Sequence, residues 1–219
     1  MTDLFENERI DDLEINDLRL IQNAEGYCFT SDSVLLANLV KARKTDKILD
    51  VGAGSGIISI LLAGKMGYGN VSALEIQKNM SALAARNVEM NCLSDKIVVI
   101  NSSLQDFAKS VPAESFDVIV SNPPYIASAE VEKLMPEVRD HEPRMALDGT
   151  EDGLHFYRRI IKEAGKHLVS SGMLFFEIGY DQGQAVSELM RAQGYREVQV
   201  VQDYAGLDRV VLGTYCERN

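Results

Sequence analysis

Residues 47–75 constrain the fold of this chain more than any other stretch. Lys47-Ile48-Leu49-Asp50-Val51 is a short apolar run of strand type that passes without interruption into Gly52-Ala53-Gly54-Ser55-Gly56. Ile57-Ile58-Ser59-Ile60-Leu61-Leu62 then starts a helix, and Val71-Ser72-Ala73-Leu74-Glu75 is a second strand ending on a carboxylate. Strand, glycine-rich turn, helix and strand describe a βαβ unit, in which the two strands lie parallel in one sheet.

The rest of the chain repeats this alternation. N-cap candidates Thr30-Ser31-Asp32-Ser33 precede an apolar run, which predicts a helix over 33–42. Further helices are predicted over 82–91, 104–110, 154–168 and 182–193, and further strands over 97–100, 118–120 and 172–178. Two β-rich stretches close the chain, 196–202 and 209–215, with no helix between them, so they form a late antiparallel hairpin. Alternation around Ile15 and over 18–21 predicts a short hairpin or edge ribbon near the start. The expectation is a single α/β domain over 1–219, with a seven-stranded, mostly parallel sheet covered by helices on both faces. The charged stretch 130–152 reads as a solvated surface loop.

Several function classes are set aside at this stage. Cys28, Cys92 and Cys216 are scattered without metal-ligand spacing, and His141, His155 and His167 have no partner spacing, so no metal site is expected. No apolar run approaches the roughly 18–20 residues that span a bilayer. The N-terminus lacks the basic and apolar regions of a signal peptide, and the expected location is cytoplasmic. A formal charge of −11 opposes non-specific attraction to a phosphate backbone.

The glycine turn identifies a ligand class. A dinucleotide fold wants GxGxxG with a pyrophosphate over the helix N-terminus. Here Gly52, Gly54 and Gly56 are spaced by single residues, and Asp50 precedes them. An acid there disfavours a pyrophosphate but suits an ammonium group, held directly or through water. Glu75 closes the next strand, where a carboxylate can take both hydroxyls of a ribose. Ammonium, ribose and base together describe S-adenosylmethionine better than NAD.

A second motif names the acceptor chemistry. Val118-Ile119-Val120 is a buried strand that stops at Asn122, because Pro123 and Pro124 cannot donate ladder hydrogen bonds. The Asn122 side-chain oxygen and the Pro123 carbonyl can accept both hydrogens of a planar amino group, and Tyr125 can stack on its flat face. The candidate catalytic residues are therefore Asn122, Pro123 and Tyr125, and Pro124 joins them in binding the substrate.

Asp50 with the three glycines, Glu75, and Asn122-Pro123-Pro124-Tyr125 resemble the motifs of class I S-adenosylmethionine-dependent methyltransferases, the last motif marking the amino-methylating branch. The resemblance implies a Rossmann-like fold and S-adenosylmethionine as cofactor. It implies cofactor contacts from Thr30, Asp50, Gly52, Gly54, Gly56, Glu75, Ile76, Ser103, Leu104 and Asn122. Many relatives carry an acid where Ser103 stands, so either Ser103 or Asp106 is the adenine contact, and either also suits a helix N-cap.

Two finer resemblances point to different acceptors. Residues 118–211 resemble the release-factor glutamine methyltransferases (the PrmC/HemK family). The resemblance rests on Ser121-Asn122-Pro123-Pro124-Tyr125-Ile126, Glu142-Pro143-Arg144-Met145-Ala146-Leu147-Asp148-Gly149, Phe176-Glu177-Ile178-Gly179 and Asp203-Tyr204-Ala205-Gly206-Leu207-Asp208-Arg209. It implies methylation of the glutamine in the GGQ loop of a peptide chain release factor. Residues 1–45 instead resemble tRNA adenine methyltransferases acting beside a valine anticodon. That resemblance rests on Gly26-Tyr27-Cys28-Phe29-Thr30-Ser31-Asp32-Ser33, and it implies a cap over the cofactor. The helical domain that precedes the usual release-factor enzyme is not found in this sequence. A natural intermediate, a recombined or designed hybrid and a shortened glutamine methyltransferase all fit. Glutamine is favoured, because the segment after Tyr125 shapes the substrate pocket and the chain is acidic. Adenine is the alternative, and a non-catalytic S-adenosylmethionine-binding scaffold is the second. For Glu142-Pro143-Arg144 an ion pair pinning the loop stands beside substrate contact.

Overall fold

The computed structural model describes residues 4–23, 31–135, 139 and 143–216. The chain opens with an antiparallel hairpin, β1 (Glu8–Asp12) and β2 (Arg19–Asn23), followed by helix α1 (Ser31–Leu39). The βαβ unit follows: β3 (Lys47–Val51), α2 (Ile57–Ile60) widening into a π-helical turn over Leu61–Lys65, and β4 (Asn70–Glu75). Helix α3 (Lys78–Met90), strand β5 (Ile97–Asn101), helix α4 (Leu104–Ser110) and strand β6 (Phe116–Ser121) come next. Two short helices, α5 (Ser128–Val131) and α6 (Arg144–Leu147), precede α7 (His155–His167). Strand β7 (Leu168–Glu177), helix α8 (Gly183–Ala192) and the pair β8 (Tyr195–Gln202) and β9 (Asp208–Tyr215) complete the chain.

Seven strands form one sheet in the order β5-β4-β3-β6-β7-β9-β8. Those from β5 to β7 run parallel, and β9 is antiparallel to both β7 and β8. The order reverses between β3 and β6, and ligands of open α/β sheets sit outside the strand C-termini at such a switch point. Successive residues of a strand face opposite sides, and the core divides accordingly. Ile48 and Phe175 join the layer under the hairpin, α1 and α2, whereas Leu49 and Phe176 join the layer under α4, α7 and α8. Both phenylalanines and both aliphatic residues are buried.

The expected strands and helices are all present. The opening hairpin, however, pairs Glu8–Asp12 with Arg19–Asn23, so Ile15 lies in its turn and not in a strand, and α1 spans Ser31–Leu39 rather than 33–42. Three further shifts are instructive. Helix α3 starts at Lys78 rather than 82, because Gln77 enters it without a side-chain cap and without apolar periodicity. Strand β7 starts at Leu168 rather than 172: Ser170-Ser171-Gly172 resembles a turn, but the structure absorbs it as a bulge, with Ser171 at φ 67° and a register shift against β6. The stretch 130–152, expected to be a surface loop, carries the end of α5 and all of α6 among its described residues.

Asparagines, not apolar packing alone, seat the hairpin. Asn91 accepts from the Arg19 amide at 2.8 Å and donates to the Arg19 carbonyl at 2.7 Å. Asn87, one helical turn earlier, does the same for Ile21 at 2.7 and 3.1 Å, and also donates to the Ser55 carbonyl in the glycine turn at 3.0 Å. Arg86 pairs with Glu8 at 2.6 Å and lies over the Phe5 ring at 4.6 Å.

Candidate active site

Parallel register brings the three motifs to one edge. Val51 lies opposite Leu74 on one side and Ser121 on the other, so Gly52, Glu75 and Asn122 leave adjacent strands at the same level. Glu75 in turn lies opposite Asn101. Asn101 donates to the Glu75 and Ile76 carbonyls at 2.9 and 3.1 Å, which fixes the turn on which Ile76 stands 60% exposed.

The glycine turn is a cradle. Gly52, Gly54 and Gly56 adopt φ of 75°, 56° and 87°, a region that L side chains avoid. A Cβ on Gly52 or Gly54 would meet nothing within 4 Å, so these positions face open space that a ligand can enter. Glu75 braces the turn: it accepts from the Gly54 amide at 2.9 Å and from the Gln77 amide at 2.7 Å, leaving lone pairs on both oxygens.

Asp50 lies beneath the cradle, fully buried. Its Oδ2 accepts from the Ser59 hydroxyl at 2.7 Å and from the Ser59 amide at 3.2 Å, while Oδ1 has no hydrogen-bond partner among the described residues. Burial pushes the carboxyl up to about 7, against the two Ser59 bonds that pull it down and with the neighbouring Glu75 charge. A buried acceptor with an unused lone pair fits an ammonium group or a water that relays to one. The open cradle, Asp50 Oδ1 and the Glu75 carboxylate together fit S-adenosylmethionine.

Ser103 is the N-cap of α4, accepting from the Asp106 amide at 3.1 Å and donating to the Asp106 carboxylate at 2.9 Å. Asp106 is exposed and also pairs with Lys109 at 2.8 Å. Both residues thus serve the helix end, and Ser103 lies nearer the Asn101 turn. Leu104 is half-buried against the core. Thr30 lies outside the described residues, as do Cys28, His141 and Glu142.

Asn122 is half-buried, and its Nδ2 donates to the Ser33 hydroxyl at 3.4 Å. Pro123 is buried, while Pro124 and Tyr125 are half-buried. Gln182 donates to the Tyr125 carbonyl at 2.9 Å and accepts from the Gly179 amide at 3.1 Å. The Tyr157 hydroxyl reaches the Glu177 carbonyl at 2.9 Å. Glycine keeps the far side close: a Cβ on Gly149 would lie 2.8 Å from the Tyr125 Cα and 2.9 Å from the Pro124 carbonyl oxygen. Gly149→Ala must therefore move backbone, and a loss of about 1–3 kcal/mol is expected, read as a lower urea midpoint at unchanged slope.

Beyond Tyr125 the chain is pinned by ion pairs. Arg144 binds Glu132 at 2.7 Å and Asp148 at 3.2 Å, and Asp148 also accepts from the Ser128 hydroxyl at 2.6 Å. Arg144 thus anchors the loop through Glu132 and Asp148. Ser33, Ser59, Glu177, Gln182 and Arg209 gather at the site without having been assigned a role from sequence. The signal for Glu177 was available, because it ends a buried strand on the same edge as Glu75.

Among the described residues no group of three or more His, Cys, Asp or Glu side chains could hold a metal, and no helix is long and apolar enough to cross a membrane.

The strand order and the motifs at its switch point define a Rossmann-like methyltransferase. Solved structures agree in fold: a methyltransferase from Pyrococcus furiosus superposes with a TM-score of 0.60 at 20% identity, over 85% of this chain and 82% of its own. The hMettl16 catalytic domain, crystallised with an RNA hairpin, gives 0.74 at 22% over 94% and 77%. The methyltransferase small domain family matches residues 29–138. A release factor glutamine methyltransferase from Gloeobacter violaceus is 34% identical over 201 residues, 91% of this chain and 68% of that protein. One from Fusobacterium nucleatum is 41% identical over 174 residues, 80% of this chain and 48% of that protein. The chain belongs to the release factor glutamine methyltransferase family. It spans 48%, 58% and 60% of the length of three of its curated relatives.

Proposed function

We propose that this chain methylates the side-chain amide of a glutamine in a peptide chain release factor, with S-adenosylmethionine as methyl donor. The observation that carries the proposal is the register placing Asn122 beside Gly52 at the switch point, in a chain of this family. When bound, S-adenosylmethionine supplies an electrophilic methyl on a sulfonium centre.

The protein's task is to make a poor nucleophile reactive. An amide nitrogen gives its lone pair to the carbonyl, so it attacks only when held in line and when positive charge developing on it is stabilised. The Asn122 Oδ1 and the Pro123 carbonyl accept the two amide hydrogens, which aims the nitrogen and stabilises that charge. Tyr125 fixes the plane of the flat group. No strong base is needed, because the methylated nitrogen is acidic and loses its proton late. Asp50 would hold the ammonium of the cofactor and Glu75 its ribose, and Ile76, Ser103 and Leu104 would hold its adenine. Residues 1–219 act as one methyltransferase domain, with 1–45 as a cap over the cofactor.

The test is transfer of radiolabelled methyl to a bacterial release factor and to unmodified valine tRNA in parallel. Label in the release factor is expected, and it should vanish when the GGQ glutamine is changed. Label in tRNA alone would replace glutamine with adenine as the acceptor. Cofactor binding without transfer to either, together with a tight protein partner, would favour a scaffold.

A further inference from the structure

We propose that Glu177 is the positioning residue for Asn122, fixing which end of its amide faces the methyl acceptor. This rests on the role given to Asn122 above. Glu177 closes β7 on the same sheet edge as Asn122, which follows β6, and its side chain is buried. The Ser33 hydroxyl donates to Glu177 Oε2 at 3.5 Å and accepts from Asn122 Nδ2 at 3.4 Å, and the Asn122 amide favours the charged form of the Glu177 carboxyl.

This triangle admits one polarity. An ionised carboxylate only accepts, so the single Ser33 hydrogen goes to Glu177 and Asn122 must present its NH2 to both neighbours. Its Oδ1 then points away from the cluster and is available to accept from a substrate amino group. A flipped Asn122 would set Oδ1 against a carboxylate and aim NH2 at an incoming NH2, two donors with no acceptor between them. Nothing else in the cluster enforces the choice, because a serine hydroxyl can donate or accept.

The enforcement lasts only while Glu177 is ionised. Burial, with the Asp32 charge, pushes its carboxyl up to about 8, against Arg209 and the bonds from Asn122 and Ser33. Arg209 is itself shared between Asp203 at 3.0 Å and Asp32 at 3.6 Å. The other neighbours are Tyr157, whose hydroxyl binds the Glu177 carbonyl, and Tyr125, which acts on Arg209 electrostatically. A protonated Glu177 can donate to Oδ1 and releases the lock.

Two measurements test this. In wild-type protein the Asn122 side-chain NH2 resonances should shift with pH through a midpoint near that of Glu177, and the shift should be absent in Glu177→Gln. An Asn122 signal that ignores the titration overturns the proposal whatever the acceptor proves to be. At saturating cofactor, kcat on the glutamine substrate should rise with pH in wild type. Glu177→Gln should lower kcat about five- to tenfold, the margin of a charge-assisted over a neutral hydrogen bond, and flatten that limb with KM for cofactor unchanged. Ser33→Ala should shift the Asn122 midpoint and lower kcat in the same direction. A Glu177→Gln enzyme with wild-type kcat and pH profile overturns the assignment. Absence of transfer by the wild type would instead count against glutamine as acceptor and leaves the resonance test decisive for Glu177.

Discussion

Asn122→Ala is expected to slow methyl transfer by about 10²- to 10³-fold while cofactor affinity stays nearly unchanged. The magnitude follows from where the side chain acts. Its hydrogen bond to the acceptor nitrogen strengthens as that nitrogen gains positive charge, so its removal weakens the transition state more than the ground state. The backbone it leaves behind is held independently, by the buried Pro123 and by Gln182 on the Tyr125 carbonyl at 2.9 Å. The turn should therefore survive the substitution. Calorimetric binding of cofactor beside single-turnover transfer separates the two effects. Near-normal transfer would remove Asn122 from the chemistry.

Asp50→Asn should act on affinity and stability in opposite directions. Exchanging a buried carboxylate for an amide removes the partner of the cofactor's ammonium, and cofactor affinity should fall by about 10²-fold. Stability at pH 8 should rise. The folded-state value, raised from 3.8 to about 7, means that at pH 8 the fold carries a buried charge costing about 4 kcal/mol. The amide carries no such charge. It does place a donor where Oδ1 has no partner among the described residues, which costs about 1–3 kcal/mol. A net gain of about 1–3 kcal/mol remains.

The sign fixes the pH window. Between 3.8 and about 7 the folded protein keeps a proton that the unfolded chain has released, so this group lowers stability progressively as pH rises through that range. The advantage of the variant should thus be full above pH 7 and fade toward pH 4. Cofactor affinity of the wild type should weaken as pH falls below 7, and the variant should lose that dependence. Melting temperatures and titrations at several pH values check both. A variant destabilised at pH 8 would mean that Asp50 is not charged there.

The fold was legible wherever apolar runs were bounded by turn residues. Strand β3 begins at Lys47 and ends at Val51 as expected, because its last residue meets an obligatory glycine turn. The late hairpin was legible because no helical stretch separates β8 from β9. Strand order was not, since it depends on which sheet edge each crossover packs against. Within the site, glycines, prolines and terminal carboxylates announce themselves by type. Ser59 and Ser33 do not, because a serine on a helix acquires meaning only from the carboxylate set against it, 9 and 144 residues away. Asp50 was legible as an acid but not as a buried one.

The asparagine ladder on α3 has an evolutionary consequence. Asn87 and Asn91 grip Ile21 and Arg19 through backbone groups alone, as a neighbouring strand would. The asparagine clasp does not read side chains; what the body reads of the ribbon's side chains is confined to the buried Leu18, Leu20, Ile21 and Gln22 and to Glu8, which pairs with Arg86. Ribbons of different ancestry can then be exchanged on the same catalytic body.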